Sequence, residues 1–77
     1  MAAHDLVAYV ARNLVDDPDA VVVEVTNGPD GKVIELHVAE EYMGNVIGRN
    51  GIVAKALRTL LKVVSARDGE PVSLEIS

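Results

Sequence analysis

The sequence predicts an α+β domain of six elements in the order α-β-β-α-α-β, forming a three-stranded mixed sheet with its helices packed on one face. Three observations carry this. Apolar residues recur with a helical period in two long segments and alternate in three short ones. Clusters of Gly, Pro, Asn and Asp separate most of the periodic runs. The link between the second and third alternating runs is long enough to return a strand parallel to its neighbour.

The first helix is expected from His4 to about Leu14, where Leu6, Val7, Val10 and Leu14 share one face. Asp16-Asp17-Pro18-Asp19 stops it, because proline disfavours helix in the residue before it. Ala20 to Thr26 reads as a strand, with Val21, Val23 and Val25 on one side. Asn27-Gly28-Pro29-Asp30-Gly31 is then expected to form a hairpin loop of about five residues. Lys32 to Ala39 is the second strand, with Ile34, Leu36 and Val38 inward and Glu35 and His37 outward. Glu40 to Ile47 is expected to be a short helix, its two leading acids suited to a helix N-terminus.

Gly48 to Gly51 breaks that helix, and a longer one runs from Ile52 to about Arg67. Val53, Leu57, Leu60, Leu61 and Val64 are expected as its buried stripe, with Lys55, Arg58 and Lys62 on the opposite face. Arg67-Asp68-Gly69-Glu70-Pro71 ends it, and Val72 to Ser77 alternates as a last strand. The whole of 1–77 is read as one domain, since 77 residues suit a single core. The sheet face away from the helices is expected to show Glu24, Glu35, His37 and Glu75 to water.

Charge is segregated along the chain. Asn45 to Arg67 holds five of the seven cations and no acid, and the rest holds two cations against all twelve acids. A chain of net charge -5 is thus expected to present a positive surface that an anionic ligand could meet. Cysteine is absent, which excludes disulfides and thiolate metal sites. The start, Met1 to Asp5, is not basic and no long apolar run follows, so neither a signal peptide nor a membrane span is expected. A cytoplasmic location is the default expectation.

The chemistry concentrates in Val46-Ile47-Gly48-Arg49-Asn50-Gly51. Glycines allow backbone angles closed to other residues and have no side chain to hold a ligand away. Amides at the start of the following helix carry partial positive charge. Arg49 adds a mobile full charge and Asn50 an amide donor. A phosphodiester backbone running past the loop fits these donors. A plain glycine corner between packed helices would explain the glycines, but not the cations that dominate the next sixteen residues.

This pattern, followed by Val53, Lys55, Leu57 and Arg58, resembles the K-homology (KH) domain of RNA-binding proteins. The order of elements is similar to its type II topology, whose core strand-helix-helix-strand would be residues 32–77, preceded by a helix and strand at about 4–26. The resemblance is closest to the small bacterial proteins that consist of a single KH domain. It implies that a single RNA strand of about four nucleotides lies in a groove rimmed by the glycine loop. By position, Gly48, Arg49, Asn50 and Gly51 would hold phosphates. Val46, Ile47 and Val53 would lie at or beneath the groove floor, and Lys55 and Arg58 would be basic neighbours. Leu36 and Val38 would border the far side, although Ile34, Leu36, Val53 and Leu57 also fit a plain core. Ile52 departs from the family pattern, where a Lys or Arg is expected after the loop.

The resemblance implies a post-transcriptional regulator or RNA chaperone that forms a homodimer, or a heterodimer with a second KH protein. The alternative is a protein–protein adaptor that keeps the fold with vestigial RNA binding. An enzyme is not expected, because no nucleophile–base pair or set of convergent acids is present. No cofactor, small-molecule substrate, membrane or metal is expected either. His4 and His37 are far apart without evident ligand partners, and Asp16, Asp17 and Asp19 lack the spacing of a calcium loop. Tyr9 and Tyr42 are the only aromatics, so base stacking on rings has little support.

Overall fold

The computed structural model describes residues 2–77. The elements are α1 (Ala3–Leu14), β1 (Val22–Gly28), β2 (Gly31–His37), α2 (Met43–Ile47), α3 (Ile52–Asp68) and β3 (Val72–Ile76), with single 3₁₀ turns at Pro18–Ala20, Glu40–Tyr42 and Arg49–Gly51. The strand order is β1-β2-β3. β1 pairs antiparallel with β2, and β2 pairs parallel with β3. This is the α-β-β-α-α-β order and mixed sheet of a type II KH fold.

One core holds the layers together. Ile34 and Leu36 of the central strand are buried with Leu74 of β3 and with Val7, Ala11, Val46, Leu57 and Leu61 from the three helices. The ends of the helices are tied locally. The Ala2 amide donates to Asp5 Oδ2 at 3.1 Å, which satisfies one free donor at the start of α1. Asn45 Nδ2 donates to the Leu14 carbonyl at 2.8 Å, so α2 caps the C-terminus of α1 and is held against it. Gly69 ends α3 at φ 74°, its amide bonded to the Ser65 carbonyl at 2.8 Å.

Three expectations are corrected. The hairpin loop has two residues, Pro29 and Asp30, because Gly28 pairs directly with Gly31. Gly31 makes this possible: its φ is 141°, and a Cβ there would lie 2.5 Å from the Pro71 carbonyl oxygen. The helix before the glycine loop is also shorter than expected, since Glu40–Tyr42 forms a 3₁₀ turn ahead of α2.

The third correction concerns the rotation of α3. Its buried residues are Ala54, Leu57 and Leu61, with Val53 and Val64 half-buried, while Leu60 is 45% exposed. The helix carries two apolar stripes, and the core takes the one that includes Ala54. Ile52, Leu60 and Val63 stay on the surface. Among the described residues no helix is long and apolar enough to cross a membrane.

This rotation is measurable by chemical denaturation. Leu57→Ala should lower stability by about 2–5 kcal/mol. Leu60→Ala should lower it by about 1 kcal/mol or less. Equal losses at the two positions would contradict the packing described.

Candidate nucleic-acid interface

The connection from α2 to α3 is built from unusual backbone. Gly48, Asn50 and Gly51 have φ of 78°, 57° and 76°. Asn50 is the only non-glycine residue with positive φ among the described residues, and Asn tolerates this region better than most side chains. The glycines differ in why they are needed. A Cβ on Gly48 would meet Val53 Cγ2 at 2.6 Å and the Val53 amide nitrogen at 2.9 Å, so the chain can fold back onto the first turn of α3 only there. A Cβ on Gly51 would meet nothing within 4 Å, so Gly51 serves the backbone angle alone.

This fold-back settles which amides are free. The Gly48 amide bonds the Gly44 carbonyl at 2.8 Å and the Gly51 amide bonds the Gly48 carbonyl at 3.1 Å. The Ile52 amide is taken up by the Arg49 carbonyl. The Arg49 and Asn50 amides, at the exposed tip, take no such bond among the described residues. An anion at the tip would therefore meet these two amides and the side chains of the same two residues.

The sequence-predicted residues fall into two layers. Gly48 and Gly51 are half-buried, and Arg49, Asn50, Lys55 and Arg58 are exposed. Ile47 and Val53 are half-buried and pack against the core. Val46 is fully buried, so it supports the site from beneath. Leu36 is also fully buried and does not border an open groove; Val38 is half-buried and keeps an accessible side. Ile34 and Leu57 take the core reading as well.

The charges divide as cleanly in space. Lys32 pairs with Glu70 at 3.9 Å and Arg67 with Asp68 at 3.3 Å. Arg49, Lys55, Arg58 and Lys62 make no ion pair among the described residues. Their charge is uncompensated locally and open to a ligand. Arg58 is steered by its Nη2, which lies 3.4 Å from the Leu74 carbonyl and leans toward β3.

The opposite side of the sheet is acidic. Glu24, Glu35 and Glu75 form one rung across all three strands. His37 does find partners, contrary to the sequence reading: its Nε2 is 3.8 Å from Glu24 Oε1 and its Nδ1 is 2.8 Å from Ser77 Oγ. Ligand atoms of Glu24, Glu35 and His37 all lie within 4.8 Å of one another. The alternation of β2 placed His37 outward, but only the strand register shows which carboxylates stand beside it. Tyr42 is half-buried against the core. Its phenol is held above the usual range by partial desolvation and by the carboxylates of Glu41, Asp16 and Asp17.

Comparison with known proteins adds a second line of observation. The family described as KhpA/KhpB, KH domain, matches residues 4–76. RNA-binding protein KhpA of Caldanaerobacter subterraneus subsp. tengcongensis is 46% identical over 72 residues, covering 94% of this chain and 96% of that protein. RNA-binding protein KhpA of Clostridium acetobutylicum is 42% identical over 71 residues, covering 92% and 95%. Among solved structures, Aquifex aeolicus Era bound to GDP and aluminium fluoride superimposes with a TM-score of 0.59 at 27% identity, over 96% of this chain and 29% of that one. Era in complex with MgGDPNP and nucleotides 1506–1542 of 16S ribosomal RNA gives the same score and identity, over 96% and 28%. The chain thus spans nearly the full length of these KhpA proteins and under a third of either Era chain.

The three loop and helix glycines should separate by thermal or urea denaturation. Gly48→Ala should destabilise most, by about 1–3 kcal/mol of backbone strain with the Val53 clash added. Gly51→Ala should lose about 1–2 kcal/mol from its left-handed backbone alone. Gly44→Ala, in α2 with open space around it, should be neutral or gain up to about 1 kcal/mol.

Proposed function

The chain belongs to the KhpA/KhpB family of KH-domain proteins, and from this we propose that it binds single-stranded RNA with the Gly48–Gly51 loop clamping the phosphate backbone. The single observation that carries this reading is the loop itself: two amides without a backbone partner among the described residues and two donor side chains at an exposed tip, followed by a helix whose Lys55, Arg58 and Lys62 make no ion pair among them. The relatives are named as RNA-binding proteins, not as enzymes.

In this mechanism the Arg49 and Asn50 amides and side chains hold successive phosphates. Gly48 and Gly51 let the strand approach the backbone. Lys55 and Arg58 draw the strand along α3, and Ile47 and Val53, supported by Val46, offer apolar surface to the bases. Hydrogen-bond readout would be limited, so sequence choice would be broad. The cellular role we propose is post-transcriptional regulation or RNA chaperoning.

A groove for about four nucleotides binds weakly alone, and a second copy would raise affinity by avidity. Ala56, Thr59, Leu60 and Val63 give α3 an uncharged solvent-facing stripe, with Leu60 45% and Val63 64% exposed. Two such helices packed across a two-fold axis would cover it, and the small Ala56 allows close approach. This stripe is also what favours the second reading, a protein–protein adaptor. The two differ in what the loop is for.

Binding of a short single-stranded RNA should vanish in the Arg49→Asp, Asn50→Asp double variant while its circular dichroism and melting stay near wild type. Retained binding would sink the clamp, whereas RNA binding by the wild type only in the presence of a partner protein would favour the adaptor. With about three phosphate contacts, log affinity should fall with log salt at a slope of about -2. Val63→Glu should shift the sedimentation equilibrium to monomer and weaken RNA binding without abolishing it. A dimeric Val63→Glu chain would remove α3 from the association surface.

A further inference from the structure

The outer side of the glycine loop carries an open depression of about 310 Å³, lined by Arg49, Asn50, Ile52 and Lys55. The phosphate clamp does not account for it. Its walls are largely aliphatic, formed by Ile52 and its neighbours' side chains. Ile52 is 65% exposed and supplies the apolar wall of the depression. Ile52 is the N-terminal end of the exposed arc that also holds Ala56, Leu60 and Val63, eleven residues or about 16 Å along the helix from Val63 and beside the loop.

We propose that this depression seats one nucleobase of the RNA strand, the base next to the nucleotides clamped at Gly48–Gly51. The inference rests on the RNA-binding reading above and names a further subsite of it. A nucleobase fits this lining, because its faces are apolar and it is attached to negative charge. The base face would lie on Ile52, where the aliphatic stems of Arg49 and Lys55 add contact area. The Arg49 guanidinium can stack on the base or reach the adjoining phosphate. Arg49 and Lys55 have no ion-pair partner among the described residues, and 45–67 contains no acid to repel the strand. The depression is open on one side, so the sugar–phosphate chain can pass without threading. Ile52 thereby becomes a base-contacting residue in a chain whose two tyrosines lie outside the loop.

The test uses the full chain, single-stranded RNA hexamers and tetramers, and fluorescence anisotropy at concentrations where the chain is monomeric. In a hexamer series with one abasic ribose moved along the strand, wild type should lose about fivefold in affinity at one position outside the clamped four, the order expected from burying part of the Ile52 side chain. Ile52→Ser should bind the intact hexamer about fivefold more weakly, bind the tetramer like wild type, and lose nothing more from the abasic substitution. Ile52→Trp places a tryptophan in a chain that has none. Its emission should be quenched by the intact hexamer and not by the one abasic at that position.

A flat abasic series, a wild-type hexamer affinity in Ile52→Ser, or an unresponsive tryptophan overturns the seat while leaving the clamp standing, provided Arg49→Asp, Asn50→Asp still abolishes binding. An effect of Ile52→Ser that follows the monomer–dimer equilibrium rather than the base overturns it as well. Absence of any RNA binding by wild type overturns both proposals.

Discussion

The burial of Ala54, Leu57 and Leu61 fixes the rotation of α3 about its axis, and most of what the protein presents to a ligand follows from that one constraint. A helix can give only a limited arc of its surface to a sheet. Once Leu57 and Leu61 join Ile34 and Leu36 in the core, the remaining arcs are assigned. Lys55, Arg58 and Lys62 go to solvent, with Arg58 leaning to the β3 carbonyl of Leu74. Ile52, Leu60 and Val63 take the other exposed arc. The same rotation brings Val53 under Gly48, so the glycine loop sits on the first turn of α3 and turns its two free amides outward.

The loop depends equally on what holds α2. A five-residue helix has little stability of its own, because nucleation is unfavourable and few bonds repay it. α2 is held by Val46 in the core and by Asn45 bonded to the end of α1. The N-terminal helix is therefore not an ornament on the strand-helix-helix-strand core. It braces the element that delivers the loop.

The charge pattern makes an acidic chain compatible with a polyanionic ligand. The carboxylates that could neutralise α3 lie on the far face of the sheet, in the Glu24–Glu35–Glu75 rung, or at the hairpin and helix ends. Like charges directly opposite on a sheet are unfavourable, and His37 Nε2 lies 3.8 Å from one of them, Glu24. The rung also makes one face of the molecule repel a polyanion.

The sequence by itself determined the order of elements, the segregation of charge and the glycine loop between two helices, because each is a local pattern of period, composition or turn chemistry. It also determined which strand residues point outward, since alternation needs no partner. Tertiary structure alone decided which of two apolar stripes on α3 is buried. Val53, Leu60 and Val64 have helical spacing as good as that of Ala54, and only the position of the sheet chooses between them. It decided that the hairpin closes on two residues, through a glycine pressed against Pro71 from a distant part of the chain. It decided that His37 meets Glu24 and Ser77 across strands. In the loop the sequence supplied the glycines, while packing against Val53 decided that Gly48 has no room for a side chain and Gly51 does, because distances between residues remote in sequence are set by the fold.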